Sequence, residues 1–153
     1  MEFLSHKIAG EKLMMKNSKV KAILEWEPPS KMLELHSFLI LVNYYRHFIK
    51  DYSVKVAPLT DLLKKNRTWH SSEEYQCAFE DLNNAISEEL VLALLDHTKS
   101  FEVQMDVSDF VIGWVLMEEG HPAMFESWKL NDTERCYTVQ EKEMTTIIHC
   151  LKV

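Results

Sequence analysis

The stretch Phe101–Met117, FEVQMDVSDFVIGWVLM, constrains the fold more than any other part of the chain. Phe101, Val103 and Met105 alternate with Glu102, Gln104 and Asp106. A period of two over so short a run predicts a β-strand with one apolar face. Val107-Ser108-Asp109 is a polar turn, and the run from Phe110 to Met117 is apolar almost throughout, as expected of a strand buried on both faces. Glu118-Glu119-Gly120 then predicts a hairpin turn whose glycine supplies a positive φ, which makes His121–Trp128 a third antiparallel strand. Asp106 falls at the end of the first strand, on the lip of the sheet. Taken alone, an Asp beside a turn is more often a turn former than a metal ligand.

The chain before this sheet reads as helical. Asn17 and Ser18 can cap a short helix through Trp26, stopped by Pro28-Pro29. Ser30 caps a longer one, with Leu35, Phe38, Leu39, Val42, Tyr45 and Ile49 at the spacing of one buried face. Within YYRHFIK, aromatic and basic residues interleave; this suits nucleic acid, but such aromatics are more often core. Pro58 is expected to open a short helix through Leu62 and Leu63, followed by the basic run Lys64-Lys65-Asn66-Arg67. Ser71 with Glu74 forms a capping box for a helix that buries Tyr75, Phe79, Leu82 and Ile86. Leu90–Leu95 is expected to be an extended linker or an edge strand. Beyond the sheet, Asn131–Arg135 is a polar connection, and a last helix spans Thr138–Val153 with Met144, Ile147, Ile148 and Leu151 on its buried face. Helices followed by strands make an α+β chain, with a boundary in Asp96–Ser100.

Composition narrows the function classes. A chain of 153 residues, 46% hydrophobic and 27% charged, can bury a core as one domain or two small ones. No apolar run approaches the roughly 18 residues of a membrane span. The N-terminus lacks the apolar core of a signal peptide, so an intracellular place, nuclear or cytoplasmic, is expected. Cys77, Cys136 and Cys150 are an odd, scattered set that reads as reduced. None of the seven histidines pairs with Cys or another His at zinc spacing. The net charge of −7 hides a division: residues 1–70 carry +5 and residues 71–153 carry −12. The basic half suits a phosphate backbone, whereas the acidic half repels one unless divalent cations intervene. Solvated helix faces explain the same division about as well.

The string FEVQMDVSDFVIGWVL, with HPAMFESWKLNDTERCYTVQEKEM behind it, resembles the start of the ribonuclease H domain in gypsy-type LTR-retrotransposon pol polyproteins. That family carries F-x-x-x-T-D-A-S-x-x-G-I-G-A-V-L, then H-P-I-A-Y-x-S-x-K-L, then Y-x-x-x-E-K-E. SKVKAILEWEPPSKMLELHSFLILVNYYRHFIKDYSVKVAPLTDLLKK resembles the thumb and connection that precede it in the same polyproteins. The resemblance implies residues 1–16 as the end of a palm, 17–95 as a helical reverse-transcriptase thumb/connection and 96–153 as the N-terminal part of a ribonuclease H-like domain. Phe3-Leu4-Ser5-His6 stands where the family has F-L-G-H.

The same resemblance implies RNA-directed DNA polymerase and RNA–DNA hybrid ribonuclease activity for the family. Hybrid cleavage uses two Mg²⁺ ions about 4 Å apart, held by carboxylates. The first family carboxylate falls on Asp106 and the second, the last Glu of E-K-E, on Glu143. The polymerase aspartates and the later ribonuclease H aspartates have no counterpart between Met1 and Val153, so a catalytically incomplete fragment is expected. Two carboxylates are too few for a metal pair of about +4 charge. The implied partners are RNA–DNA hybrid or other nucleic acid, bound weakly through basic residues 1–70, and a protein covering the incomplete sheet. The alternative is a host-adopted, non-catalytic module that binds nucleic acid or protein. Departures from the family pattern are Met105 for Thr, Val111 for Gly, Trp114 for a small residue, and Ile40 for the Gly of F-L-G-L.

Overall fold

The computed structural model describes residues 2–3, 6–64, 72–88 and 91–152. Three short strands, β1 (Glu2–Phe3), β2 (His6–Ala9) and β3 (Lys12–Met15), lead into α1 (Asn17–Leu24) and α2 (Met32–Asn43). A 3₁₀ turn at Arg46–Phe48 precedes α3 (Tyr52–Asp61) and α4 (Glu73–Ser87). After β4 (Leu92–Ala93) comes the second sheet, β5 (Phe101–Val107), β6 (Val111–Glu118) and β7 (His121–Lys129), then α5 (Asp132–Arg135) and α6 (Val139–Cys150). The first sheet has the order β1-β2-β3-β4 and the second β5-β6-β7, with every pairing antiparallel. The chain is therefore α+β, as expected. Among the described residues, no helix is long and apolar enough to cross a membrane.

The helical half encloses one core. Leu35, Phe38, Leu39 and Val42 of α2 and Tyr75, Phe79, Leu82 and Ile86 of α4 are buried in the same core, which confirms both expected faces. Phe38 and Phe79 stack obliquely at 4.9 Å. Tyr45 and Ile49 are buried too, although α2 has already ended and the backbone tightens into the 3₁₀ turn. Leu92 joins the same core, so the expected edge strand is real: β4 closes the first sheet against β3. Leu90 lies outside the described residues.

Several local expectations are corrected. The N-cap of α1 is Lys16, without a side-chain cap, and the helix stops at Glu25, before Trp26. Ser30 is not the cap of α2, which begins after Lys31; its N–H and hydroxyl instead both donate to Glu34 Oε2. Ser71 lies outside the described residues, and the N-cap of α4 is Ser72, whose hydroxyl accepts from the Tyr75 N–H. Lys65, Asn66 and Arg67 also lie outside the described residues. Pro58 does not open a helix but sits inside α3, which starts six residues earlier because Asp51 turns the chain at φ 56°. The carbonyl that Pro58 leaves without a helical donor belongs to Val54, which is half exposed, so water can satisfy it. Asn131–Arg135 is not an open connection: Asn131 and Glu134 form a capping box over the single turn of α5.

The largest correction concerns α6. Its buried residues are Lys142 and Thr146, whereas Met144, Ile147, Ile148 and Leu151 are exposed. The apolar spacing identified the face that favours burial; among the described residues nothing lies over it. The apolar side of β5 is similar, with Phe101, Val103 and Met105 exposed by 42%, 38% and 39%. β6 keeps its expected central place and has no exposed residue, but it starts at Val111: Phe110 belongs to the turn, with the Arg135 guanidinium over its ring. Glu119 and Gly120 have φ of 49° and 80°, confirming the hairpin turn.

Burial pushes the phenols of Tyr52 and Tyr75 up to about 12, and it raises that of Tyr45 as well. A neutral phenol favoured by the fold contributes stability that is complete below pH ~10, the unfolded value, and is lost as pH rises through the folded values. Alkaline titration is therefore expected to show tyrosinate absorbance and loss of far-ultraviolet dichroism rising together between pH ~10 and ~12. Ionisation of Tyr45, Tyr52 and Tyr75 near pH ~10, with the fold intact, would contradict this.

Candidate active site

Asp106 is the penultimate residue of β5 and pairs with Gly113 of β6, which pairs with Ser127 of β7. Directly paired residues share a face of the sheet. On that face the missing side chain of Gly113 leaves room for the Lys50–Asp51 loop: a Cβ on Gly113 would lie 3.4 Å from Asp51 Oδ1. The result is a hollow of about 180 Å³ lined by Lys50, Asp51, Gln104, Asp106, Gly113 and Glu126, among others. Asp51 holds its carboxylate there from the left-handed region, which Asp tolerates better than most residues.

The helical half is fixed to the sheet beside this hollow. The Ser53 N–H donates to Ser127 Oγ at 2.9 Å. Glu126, whose side chain is 9% exposed, has Arg46 at 3.5 Å and His47 at 3.3 Å. His47 Nδ1 also lies 3.2 Å from the Phe125 carbonyl oxygen, so both neighbours of that nitrogen are acceptors and it serves as the donor. The YYRHFIK segment thus divides by role. Tyr45, Phe48 and Ile49 are core, and Arg46 and His47 join the two halves.

Between β5 and β6, the Ser108 hydroxyl donates to the Val111 carbonyl at 2.8 Å and accepts from the Val111 N–H at 3.0 Å. This closes the expected turn. Asp109 extends from it and meets Lys142 Nζ at 3.4 Å. Lys142 is 3% exposed, so its stem packs beneath α6 while the ammonium reaches out to an exposed carboxylate. Glu143, the next residue, is on α6 and exposed. α6 is anchored by His149, stacked on Trp128 at 4.5 Å. Trp128 pairs with Ile112, one residue out of phase with Gly113, so α6 lies on the sheet face opposite to Asp106 and the hollow.

Asp106 and Glu143 are therefore both open to solvent, and Glu143 does not line the hollow that Asp106 lines. Among the described residues, no group of three or more His, Cys, Asp or Glu is placed to hold a metal ion. The donors present do not fit a two-metal centre. Sequence reasoning missed Asp51, Glu126 and Lys142. An acid within an otherwise apolar strand, Glu126 in AMFESW, was the one signal that pointed to a buried partner.

Residues 71–153 match the family model described as the RNase H-like domain found in reverse transcriptase. The chain belongs to that family. Across nearly its whole length it is similar to retrotransposon Pol polyproteins. It is 38% identical over 151 residues to the Pol polyprotein from transposon 297 of Drosophila melanogaster, covering 98% of this chain and 14% of that protein. It is 30% identical over 157 residues to the transposon Tf2-3 polyprotein of Schizosaccharomyces pombe, covering 99% and 12%. This chain of the RNase H-like family thus spans about a seventh of the curated relatives it matches. Its fold matches part of the foamy viral protease-reverse transcriptase. The structure of that protein with double-stranded DNA superimposes with a TM-score of 0.86 at 22% identity, over 99% of this chain and 33% of that one. Its complex with RNA/DNA hybrid gives 0.87 at 22%, over 99% and 21%. Helices followed by a three-stranded antiparallel sheet and its helix come in the expected order.

Gly113 is the residue that keeps the hollow open. An alanine there makes an ordinary contact with Asp51 and should gain about 0.5–1 kcal/mol of strand stability. Gly113→Val, which extends past that contact, should cost about 1–3 kcal/mol by displacing Asp51. Urea unfolding midpoints in the order alanine, wild type, valine check this. A valine variant as stable as the alanine one would contradict it.

Proposed function

We propose that this chain is a reverse transcriptase/ribonuclease H segment that binds RNA–DNA hybrid through its basic helical half and does not cleave it alone. The observation that carries the second part is the separation of Asp106 and Glu143, one facing the hollow and one on the helix across the sheet, with no third ligand grouped with either among the described residues. For binding, support comes from charge and exposure. Lys7, Lys12, Lys19, Lys21, Lys31 and Lys50 are exposed, and relatives of the same fold are described in complex with double-stranded DNA and RNA/DNA hybrid. Within this reading, 1–16 is the end of a palm, 17–95 the thumb/connection and 96–153 the ribonuclease H-like part. Asp106 and Glu143 stand at the positions of the family's first two carboxylates and, kept apart, do not form a Mg²⁺ site in this chain alone. Its setting is intracellular, nuclear or cytoplasmic, in keeping with three unpaired cysteines. Fluorescence anisotropy with a labelled hybrid tests it: saturable binding that weakens with salt is expected, and no binding at low salt would overturn it.

A second reading, a non-catalytic module with a protein partner, is favoured by the exposed apolar side chains of α6 and β5.

A further inference from the structure

Glu126 is the one acid of β7, and its carboxylate is nearly buried where the sheet meets the helical half. Its Oε1 accepts from the Ser127 N–H at 3.2 Å. Its Oε2 has two basic side chains beside it, Arg46 at 3.5 Å and His47 Nδ1 at 3.3 Å, yet among the described residues it accepts no well-formed hydrogen bond. Charge-assisted hydrogen bonds are shorter, about 2.7–2.9 Å, so both contacts are loose.

The two basic side chains are held differently. His47 is fixed by its Nδ1–H, which donates to the Phe125 carbonyl oxygen. The Arg46 side chain is 43% exposed, and among the described residues Glu126 is its only carboxylate partner. Lys50, also exposed, lines the same hollow as Glu126. An anion drawn to Lys50 from solvent therefore arrives beside the Arg46 guanidinium. A phosphate offers that guanidinium two well-placed oxygens in place of one distant carboxylate oxygen. After such an exchange His47 would still face Glu126, so the buried carboxylate keeps a neighbour able to donate.

We propose that Arg46 is a phosphate-binding residue that Glu126 holds in reserve. When hybrid binds, the guanidinium passes from the carboxylate to a backbone phosphate, and the junction at β7 loosens. The proposal rests on the hybrid-binding reading and adds to it a named contact, coupled to the join between the two halves. The coupling is reciprocal: what strengthens the junction weakens hybrid binding.

Fluorescence anisotropy with a labelled hybrid, on the full chain, tests it. Glu126→Gln, which keeps the shape and removes the charge, is expected to bind hybrid several-fold more tightly. Arg46→Gln is expected to bind several-fold more weakly, with a salt exponent lower by about 0.9, the share of one phosphate. In the Arg46→Gln background, Glu126→Gln should bring no gain. A full gain there would mean that Glu126 only repels phosphate, which overturns the handover. Arg46→Gln binding as tightly as the wild type overturns it as well. The unsubstituted chain gives an independent check by amide hydrogen exchange, whatever the variants do to folding. The Ser53 N–H donates across the junction to Ser127 Oγ, so its exchange should speed up at saturating hybrid. Unchanged or slower exchange at Ser53 overturns the proposal and leaves hybrid binding standing. No hybrid binding at low salt overturns both.

Discussion

Phe38→Ala is expected to destabilise the chain by about 3–5 kcal/mol. Phe38 is fully buried, with the ring of Phe79 on α4 at 4.9 Å and that of Trp26, just beyond α1, at 6.0 Å. Its loss removes the transfer free energy of the ring and leaves a cavity walled by rigid aromatics that collapse poorly. Against a total stability of roughly 5–15 kcal/mol, that takes much of the folded population. The urea midpoint should fall sharply with an unchanged slope, and the sheet should unfold in the same transition because Glu126 and Ser127 join it to the helical half. Ile40→Ala, two residues along the same helix, should stay within about 0.5 kcal/mol, because Ile40 is exposed. That exposure also explains how an isoleucine can stand where the family has glycine. A loss in Phe38→Ala no larger than in Ile40→Ala would remove the basis for one helical core.

The second large effect is expected from salt. Phosphate contacts release counterions, and affinity falls as a power of salt concentration with an exponent of about 0.9 per phosphate. If the exposed lysines of the helical half neutralise about four phosphates, a fourfold rise in salt weakens hybrid binding by about a hundredfold. Reversing Lys19 and Lys21, on exposed positions of α1, should reduce that slope and weaken binding. The measurement is anisotropy across a salt series. A flat series would show that the charge division reflects only solvated surface.

Much of the architecture was readable from local pattern. The period of two, the Ser108 turn and Gly120 give the β5–β6–β7 meander, and 3-and-4 spacing gives the buried faces of α2 and α4. Each of these is set by neighbours a few residues away. What was not readable depends on residues far apart in sequence. The start of α3 depends on Asp51 adopting a left-handed turn against Gly113. The partners of Glu126 lie about eighty residues upstream, at Arg46 and His47. For α6, the spacing of Met144, Ile147, Ile148 and Leu151 marks one apolar face, but the burial expected of it is absent, because a period cannot show whether anything covers a face. Trp114 illustrates the same limit. It is buried in the central strand as its position requires, while its indole N–H has no hydrogen-bond partner among the described residues. The family pattern has a small residue there.

For the candidate site, the sequence supplied two positions by resemblance and no geometry. Asp106 lies on the lip of the sheet as expected, but strand alternation turns it towards Asp51 and the hollow, and α6 carries Glu143 on the other face. That placement depends on which residue of β5 opposes which residue of β6, a register the one-dimensional pattern leaves open.

The most direct measurement incubates the chain with a labelled RNA–DNA hybrid and Mg²⁺ or Mn²⁺, following binding and cleavage in the same samples, beside Asp106→Asn. Salt-sensitive binding with no RNA product from either protein is the predicted result. Product formed by the wild type and lost in Asp106→Asn would contradict it, because further carboxylates would then have to complete the site around Asp106.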